Sequence, residues 1–407
     1  MRRRRGTLRV ALTALAAWSI LAVAGGPRAG AATTLTTAPA VRQAPGVTYT
    51  TFRVALARGT AHGHLLTVDL RTPRVSVDLL YPGTVAARAP VSALAAARGA
   101  LAAVNGDFFH FVEVQHPGVP ATGAPVGPAV AAGHALKAAV PAGQRFGPAP
   151  PPGTGAGDVL GIGYDRRARL DRLTLRGAAV TGRGTLPLTG LNQYALPVDG
   201  IGAYTSRWGS AARARAVCGT DTDRAAPCTA RVREVTVRHG RVTAVADRPG
   251  GAVPPGGQVL LGREAGARRL AALRPGDPVR IGHRLTARGG VPLRCAVGGF
   301  AVLRGGLTVP GTDTVTPAVR TGAGIGNGGR TLYLLALDGT PGEPGLTLAE
   351  LAAVLRGLGA RDGVDLDGGG SSTLVTARRG GPVVVRNHPS GGAERPVANA
   401  LGVFARG

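Results

Sequence analysis

Lysine is nearly missing from this 407-residue chain: Lys137 stands alone among 48 basic residues, the rest being arginines. The formal charge of +26 is therefore spread through an Ala-, Gly-, Pro- and Val-rich background and forms no basic stripe interleaved with aromatics. A clustered basic face is what releases counterions from nucleic acid. The distribution argues against a nucleic-acid partner and leaves only weak attraction to acidic cell-surface polymers. Aromatics make up 4% of the residues, so the core must be built from Val, Leu, Ala and Ile, with Phe108, Phe109 and Trp208 reserved for special places. The three cysteines have no CxxC spacing, which argues against a structural zinc site. Neither a Walker pattern nor GxGxxG is present, so nucleotide binding is disfavoured. His110, His116 and His388 lack ligand spacing; no cofactor is required, and a divalent cation, if bound, would draw on Asp365 and Asp367 before any histidine.

What is present begins with a leader. Arg2 to Arg5 form a cationic start, residues 10–24 are apolar, and Gly-Pro-Arg-Ala-Gly-Ala-Ala follows at 26–32. This layout predicts a signal peptide over 1–32 and a secreted or extracytoplasmic protein. The apolar run falls short of the ~20 residues needed to cross a bilayer, so no stable membrane span is expected after processing. Oxidising surroundings allow Cys218 and Cys228 to form a disulfide, contributing about 3 kcal/mol at most for so short a loop. Cys295 lies in an apolar run and reads as a buried, inert thiol.

Residues 33–46 are Thr/Ala/Pro-rich and read as a flexible lead-in to a domain over 47–407. Short β-branched or alternating segments at 51–57, 64–70 and 75–81, separated by turn residues, predict antiparallel strands. An Ala-rich helix over 91–98, stopped by Gly99, precedes a buried strand at 101–104. Dense Gly and Pro over 114–157 suggest an irregular surface excursion. Strands follow at 158–164 and 169–175, and those at 231–237, 241–246, 258–261 and 278–282 suggest a β-rich insertion at about 212–292. Near the C-terminus, an apolar strand at 331–337 ends at Asp338-Gly339. A helix over 347–358 starts from Thr347 with Glu350 three residues on, and a strand at 362–366 ends in glycines. Such a unit implies a parallel crossover, placing Asp338 and Asp367 on one sheet edge. The fold class predicted is α+β: mixed β-sheets with flanking helices.

The segment Asp365-Leu366-Asp367-Gly368-Gly369-Gly370-Ser371-Ser372 carries the chemistry. Glycines after acidic residues let a ligand approach the main chain and expose amide N–H groups; the two serines add hydroxyls. Asn105-Gly106-Asp107-Phe108-Phe109 places an amide, a carboxylate and two rings at another strand end. Paired carboxylates in different environments are what glycosidic hydrolysis requires. Simpler roles compete: Asp338 as a turn cap before Gly339, Glu394-Arg395 as a surface ion pair, the phenylalanines as core.

Taken with Arg320-Thr321, Leu337-Asp338-Gly339, Asn387-His388-Pro389-Ser390 and Glu394-Arg395-Pro396-Val397-Ala398-Asn399-Ala400, these motifs resemble the phosphodiester glycosidase family over about 97–404, most closely from about 318. Residues 192–208 resemble the family's segment before its variable insertion. The resemblance implies hydrolysis of a sugar joined through its anomeric carbon to a phosphodiester, with a carbohydrate or sugar phosphate as the partner. It implies Asp107, Asp338, Asp365, Asp367 and Glu394 as acid, base or nucleophile. It implies Asn105, Thr321, Gly368, Gly369, Gly370, Ser371, Ser372 and Asn387 as substrate-binding, and Arg320 and Arg395 as phosphate-holding, a task suited to a planar guanidinium. The family's usual asparagine is Asp365 here. Rival readings are a non-catalytic envelope polysaccharide-binding protein and a metal-dependent phosphodiesterase.

Overall fold

Alternating Val, Thr and Leu segments with Gly-containing turns pair as β-strands, because branched side chains pack well on a pleated surface. In a computed structural model describing residues 34–378 and 381–405, these strands form four sheets. The leader expected over 1–32 lies outside the described residues. The first sheet has nine strands, in the order Thr34–Thr37, Val47–Leu56, Gly59–Asp69, Thr331–Leu337, Thr321–Gly326, Asp362–Leu366, Phe300–Arg304 and Leu307–Thr308, with Val41–Ala44 also pairing Val47–Leu56. A five-stranded sheet runs Val383–Val385, Leu374–Ala377, Ala102–Asn105, Ala400–Ala405, Val75–Leu80. A seven-stranded sheet includes Asp158–Gly163, the long Ala168–Thr181 and Leu293–Gly298. The remaining five-stranded sheet joins Ile201–Thr205 to Gly257–Arg263 and Val232–Arg238.

The α+β expectation is corrected by this count: strand makes up 42% and helix 11%. The α-helices of the described residues are Val91–Arg98, Ala265–Leu270 and Leu348–Gly357. Segments that looked like loops supply the difference. The lead-in at 33–46 holds Thr34–Thr37 and Val41–Ala44, both paired with Val47–Leu56. The Gly/Pro-rich 114–157 region is a surface excursion only in part: 114–121 and much of 141–157 are irregular and largely exposed or half-buried, but 122–131 is almost wholly buried and Ala129–Ala131 pairs with Leu293–Gly298. The stretch at 212–292 is β-rich but makes no sheet of its own. Val232–Arg238 lies beside Gly257–Arg263, which pairs Ile201–Thr205, and Val279–Ala287 pairs Ala168–Thr181.

Two features position the site. The strands Thr331–Leu337 and Asp362–Leu366 run parallel through the helical crossover, but Thr321–Gly326 lies between them, antiparallel to both. Asp338 and Asp367 thus sit at the same sheet edge two strand spacings apart, about 10 Å. The intervening strand reads Thr-Gly-Ala-Gly-Ile-Gly, and a methyl group at Gly322 would come within 2.9 Å of Leu351 in the covering helix. Its glycines let the Leu348–Gly357 helix lie close, which is why no strand pattern shows in the sequence. The second feature is Gly299, the single residue between Leu293–Gly298 of the seven-stranded sheet and Phe300–Arg304 of the nine-stranded sheet, so the chain passes directly between them at the site.

The crossover helix has the cap its sequence predicts. Glu350 N–H donates to Thr347 Oγ1 at 3.2 Å, and Thr347 N–H donates to Glu350 Oε2 at 2.8 Å. Leu348, Leu351, Ala352, Val354 and Leu355 are buried against the sheet. Truncating the cap leaves the Glu350 amide without its hydroxyl partner while the residue-347 amide keeps Glu350, so Thr347→Ala should cost about 1 kcal/mol. It is expected to lower the urea midpoint with no change in slope; an unchanged midpoint would show that the cap contributes nothing.

Candidate active site

Three strand ends converge on the acidic cluster: Asn105 from the five-stranded sheet, Gly298 from the seven-stranded sheet and Leu366 from the nine-stranded sheet. Asn105 joins two of them. Its Nδ2 donates to the Asp367 carbonyl at 2.6 Å, while its Oδ1 accepts from Thr321 Oγ1 at 2.8 Å and from Thr373 N–H at 2.9 Å. Thr321 and Ser372 lie hydroxyl to hydroxyl at 3.0 Å, and Asp367 N–H donates to the Gly106 carbonyl at 2.9 Å. Asn387 donates to Leu337 and Ser372 carbonyls and accepts from Leu374 N–H. Asn105, Thr321, Ser372 and Asn387 are buried and occupied in this way. They form the scaffold of the site, not its ligand surface.

Three carboxylates meet on that scaffold, in distinct settings. Asp107 is 2% exposed, accepts from Gly127 N–H at 2.6 Å, and its own N–H is held by Asn399 Oδ1 at 2.9 Å. A side chain at Gly298 would strike its carboxyl group, so only glycine fits there. Burial lifts Asp107 to about 6, with Lys137 and Arg145 pulling it back. Asp365 is wholly buried, and neither carboxylate oxygen has a hydrogen-bond partner. Its nearest cation is Arg320 Nη1 at 3.9 Å. Burial lifts it to about 8, reinforced by Asp367 and opposed by Arg320, so at neutral pH it is mainly the uncharged acid. Asp367 is partly exposed, as are Gly368, Gly369 and Gly370. Burial of its surroundings lifts it to about 7, against the Ser371 hydroxyl and Arg395.

The cations divide by access. Arg320, expected to hold phosphate, is 5% exposed and turns Nε to the Leu346 carbonyl and Nη2 to that of Thr316; it is a buried counter-charge for Asp365. Arg395 lies half-exposed over the Phe111 ring at 5.3 Å, with Nη1 3.5 Å from Ser371 Oγ. It packs so closely on Gly370 that any side chain there would collide with it.

Two expected carboxylates stand apart. Glu394 accepts from Ser92 N–H at 3.0 Å, in the first turn of the Val91–Arg98 helix; this satisfies a free helix amide and is a capping role. Asp338 is bound by His64 and His388. Burial alone would raise it, yet these hydrogen bonds hold it at about 2, which removes it from the acids available near neutrality. Phe109 is core, while Phe108 stacks on Phe300 at 5.8 Å beneath the Arg145 guanidinium.

Arg145, Asn399 and Lys137 were not singled out as site residues in the sequence. Lys137 is wholly buried and donates to the Val126, Gly127 and Ala138 carbonyls at 3.1, 2.6 and 2.5 Å. Burial lowers it to about 7, with Asp107 opposing. Its signal was compositional: one lysine kept in a chain that otherwise uses arginine. The Glu113 carboxylate pairs with His110 and Arg215 and lies 3.2 Å from His116 Nδ1, and Arg215 reaches Gln144 at 2.8 Å. This network braces the loop beside the site. The Cys218–Cys228 disulfide forms, and Cys295 is buried.

Residues 231–404 match the phosphodiester glycosidase family model, bearing out the resemblance read from the C-terminal motifs; Asn105 and Asp107 precede the matched region. No curated protein matches the chain in sequence. Among solved structures, a hypothetical protein from Synechocystis is 22% identical with a TM-score of 0.69, covering 91% of this chain and 64% of its own. This chain thus spans under two thirds of that protein's length. A protein from Burkholderia pseudomallei is 20% identical with a TM-score of 0.67, covering 93% and 97%. These two show the same fold. The zebrafish N-acetylglucosamine-1-phosphodiester α-N-acetylglucosaminidase catalytic domain, auto-inhibited by its pro-peptide, is 16% identical with a TM-score of 0.45 over 92% and 89%.

Asp365 makes the stability of the site depend on pH. Its folded value of about 8 lies above the unfolded value near 4. Its contribution is therefore complete below about pH 4 and is lost as pH rises through about 8. Asp365→Asn supplies a neutral group of the same shape and should melt above the parent protein at alkaline pH, the gap closing toward pH 4. Calorimetry across that range checks this; a gap independent of pH would show that the carboxyl does not ionise on folding's account.

Proposed function

We propose that the chain is an exported glycosidase-type hydrolase that releases a sugar from a glycosyl phosphodiester by cleaving the anomeric carbon–oxygen bond. One observation carries the reading: Asp367 is partly exposed with its acid form retained near neutrality, beside a half-exposed Arg395 and across from a buried Asp107. Two carboxyls whose surroundings separate their protonation states are the requirement for acid and base roles in one site. The phosphodiester lies on Arg395 and the amides of Gly368 and Gly370, the Gly369 N–H being taken by the Val319 carbonyl at 2.7 Å. Asp367 gives its proton to the phosphate oxygen as the C1–O bond breaks. Asp107, ionised above about pH 6, receives C1 directly or deprotonates the water that adds to it. Asp365 stays uncharged, and Lys137 with Arg145 holds Asp107 toward its anionic form. The family match supports the reaction class. The cationic and apolar leader, the disulfide and the name of the Burkholderia relative as an exported protein support export. No helix among the described residues is long and apolar enough to cross a membrane.

Hydrolysis of a chromogenic sugar phosphodiester tests the assignment. Asp367→Asn should lower kcat by about 10²–10⁴-fold; retention of parent activity would remove Asp367 from the mechanism. In the parent, kcat/KM should follow a narrow bell. Activity falls as pH drops through about 6, where Asp107 takes up a proton, and falls again as pH rises through about 7, where Asp367 loses one. These limbs belong to the interacting pair as a whole. In ¹⁸O-water the label should enter the sugar; label in the phosphate would instead establish phosphorus–oxygen cleavage.

A further inference from the structure

Outside the acidic cluster, two histidines and a carboxylate converge at the other end of the same sheet edge. His64 comes from Gly59–Asp69, where it pairs with Ala336, and Asp338 follows directly after Thr331–Leu337. His388 arrives from the C-terminal segment, held by its own N–H to Asp338 Oδ1 at 2.7 Å and by its carbonyl, which accepts from Gly339 N–H at 2.7 Å. Each residue offers one donor atom, and the three atoms lie within 4.8 Å of one another. We propose that His64, Asp338 and His388 bind a single transition-metal dication of the zinc class.

The spacing fits an ion. Nε2 of His64 lies 3.2 Å and Nδ1 of His388 3.1 Å from Asp338 Oδ1. Two ligands each ~2.0–2.1 Å from a metal, at tetrahedral to octahedral angles, stand about 2.9–3.4 Å apart. The ion takes the place of the protons now shared between the rings and the carboxylate, with only small movements of the side chains. The ring of His64 is already aimed: its other nitrogen is 2.7 Å from the Tyr49 hydroxyl, the kind of outer contact that fixes a metal-binding imidazole. Two imidazoles with one carboxylate favour Zn²⁺, Co²⁺ or Ni²⁺ over Mg²⁺ and Ca²⁺, which prefer oxygen donors.

Access is also built in. His64 and Asp338 are buried, but the His388 side chain is 70% exposed. The trio lines a cleft of about 420 Å³ with Thr51, Arg53 and His62, so three protein ligands leave a coordination position open to water or a small ligand. The other convergent group, His116 with Cys218 and Cys228, offers no thiolates because its sulfurs are joined in the disulfide. A bound ion would tie the end of the Thr331–Leu337 strand to the segment whose Asn387 supports Ser372 and Leu374. It would thus stiffen one side of the carboxylate site without touching Asp367.

The mature chain, free of any polyhistidine tag and stripped with chelator, is titrated with Zn²⁺ and Co²⁺ by calorimetry and visible absorption. One ion per chain should bind, raise the melting temperature and give Co²⁺ ligand-field bands. His388→Ala, at an exposed side chain, and His64→Gln should each weaken binding by about 10-fold or more, while Asp367→Asn leaves it unchanged. Failure of Zn²⁺ to bind stoichiometrically, binding unaffected by His388→Ala, or Ca²⁺ binding as tightly as Zn²⁺ would each overturn the proposal. None of these readouts depends on turnover, so they stand or fall separately from the hydrolase reading.

Discussion

The side-chain amide of Asn105 is the contact on which the site depends. With one donor and one doubly used acceptor it joins the Asp367 carbonyl, Thr321 and the Thr373 amide, which belong to segments far apart in the chain. The strand carrying Asn105 lies in one sheet and those leading to Asp367 and Thr321 in another. A buried amide left without these partners would carry a desolvation penalty of about 1–3 kcal/mol for each unmet group, so the sheets are held in one relative register. Everything chemical follows from that register: the Asp107 position, the exposure of Asp367 and the seat of Arg395.

Burial then differentiates three identical side chains. Asp338, given hydrogen-bond donors, stays strongly acidic; Asp365, given none, is mainly neutral; Asp367, at the edge of the solvent, lies between. The departure at Asp365 from the asparagine usual at that place makes sense in these terms. A protonated carboxyl has nearly the shape of a carboxamide, and its fully buried setting keeps it in that form. The chain therefore adds an acidic residue to its core without adding a persistent charge near Asp367.

Much of this was legible beforehand, and unevenly. The capped crossover helix and the strands flanking it follow from periodicity and a capping box, both local signals. The acidic loop and the Asn105–Phe109 segment were legible as motifs. What stayed hidden depends on contacts distant in sequence. The Thr321–Gly326 strand is concealed because its glycines answer to a helix packed above it. The lead-in strands depend on an edge offered by Val47–Leu56. Glu394 and Arg320 carry the right charges for catalysis, and only their partners, a helix amide and two backbone carbonyls, reveal structural roles. His64 lies far in sequence from Asp338 and His388, and no spacing rule could unite them.

The burial of Lys137 has a practical side. Its ε-amine is the only one carried by a side chain in this protein, and it is closed off beside Asp107 with three carbonyls around it. Reagents that seek side-chain amines therefore find none on the folded surface of the described residues. The ε-amine becomes reactive only when the sheets around it separate, so its modification is a built-in report of how often the heart of the molecule opens.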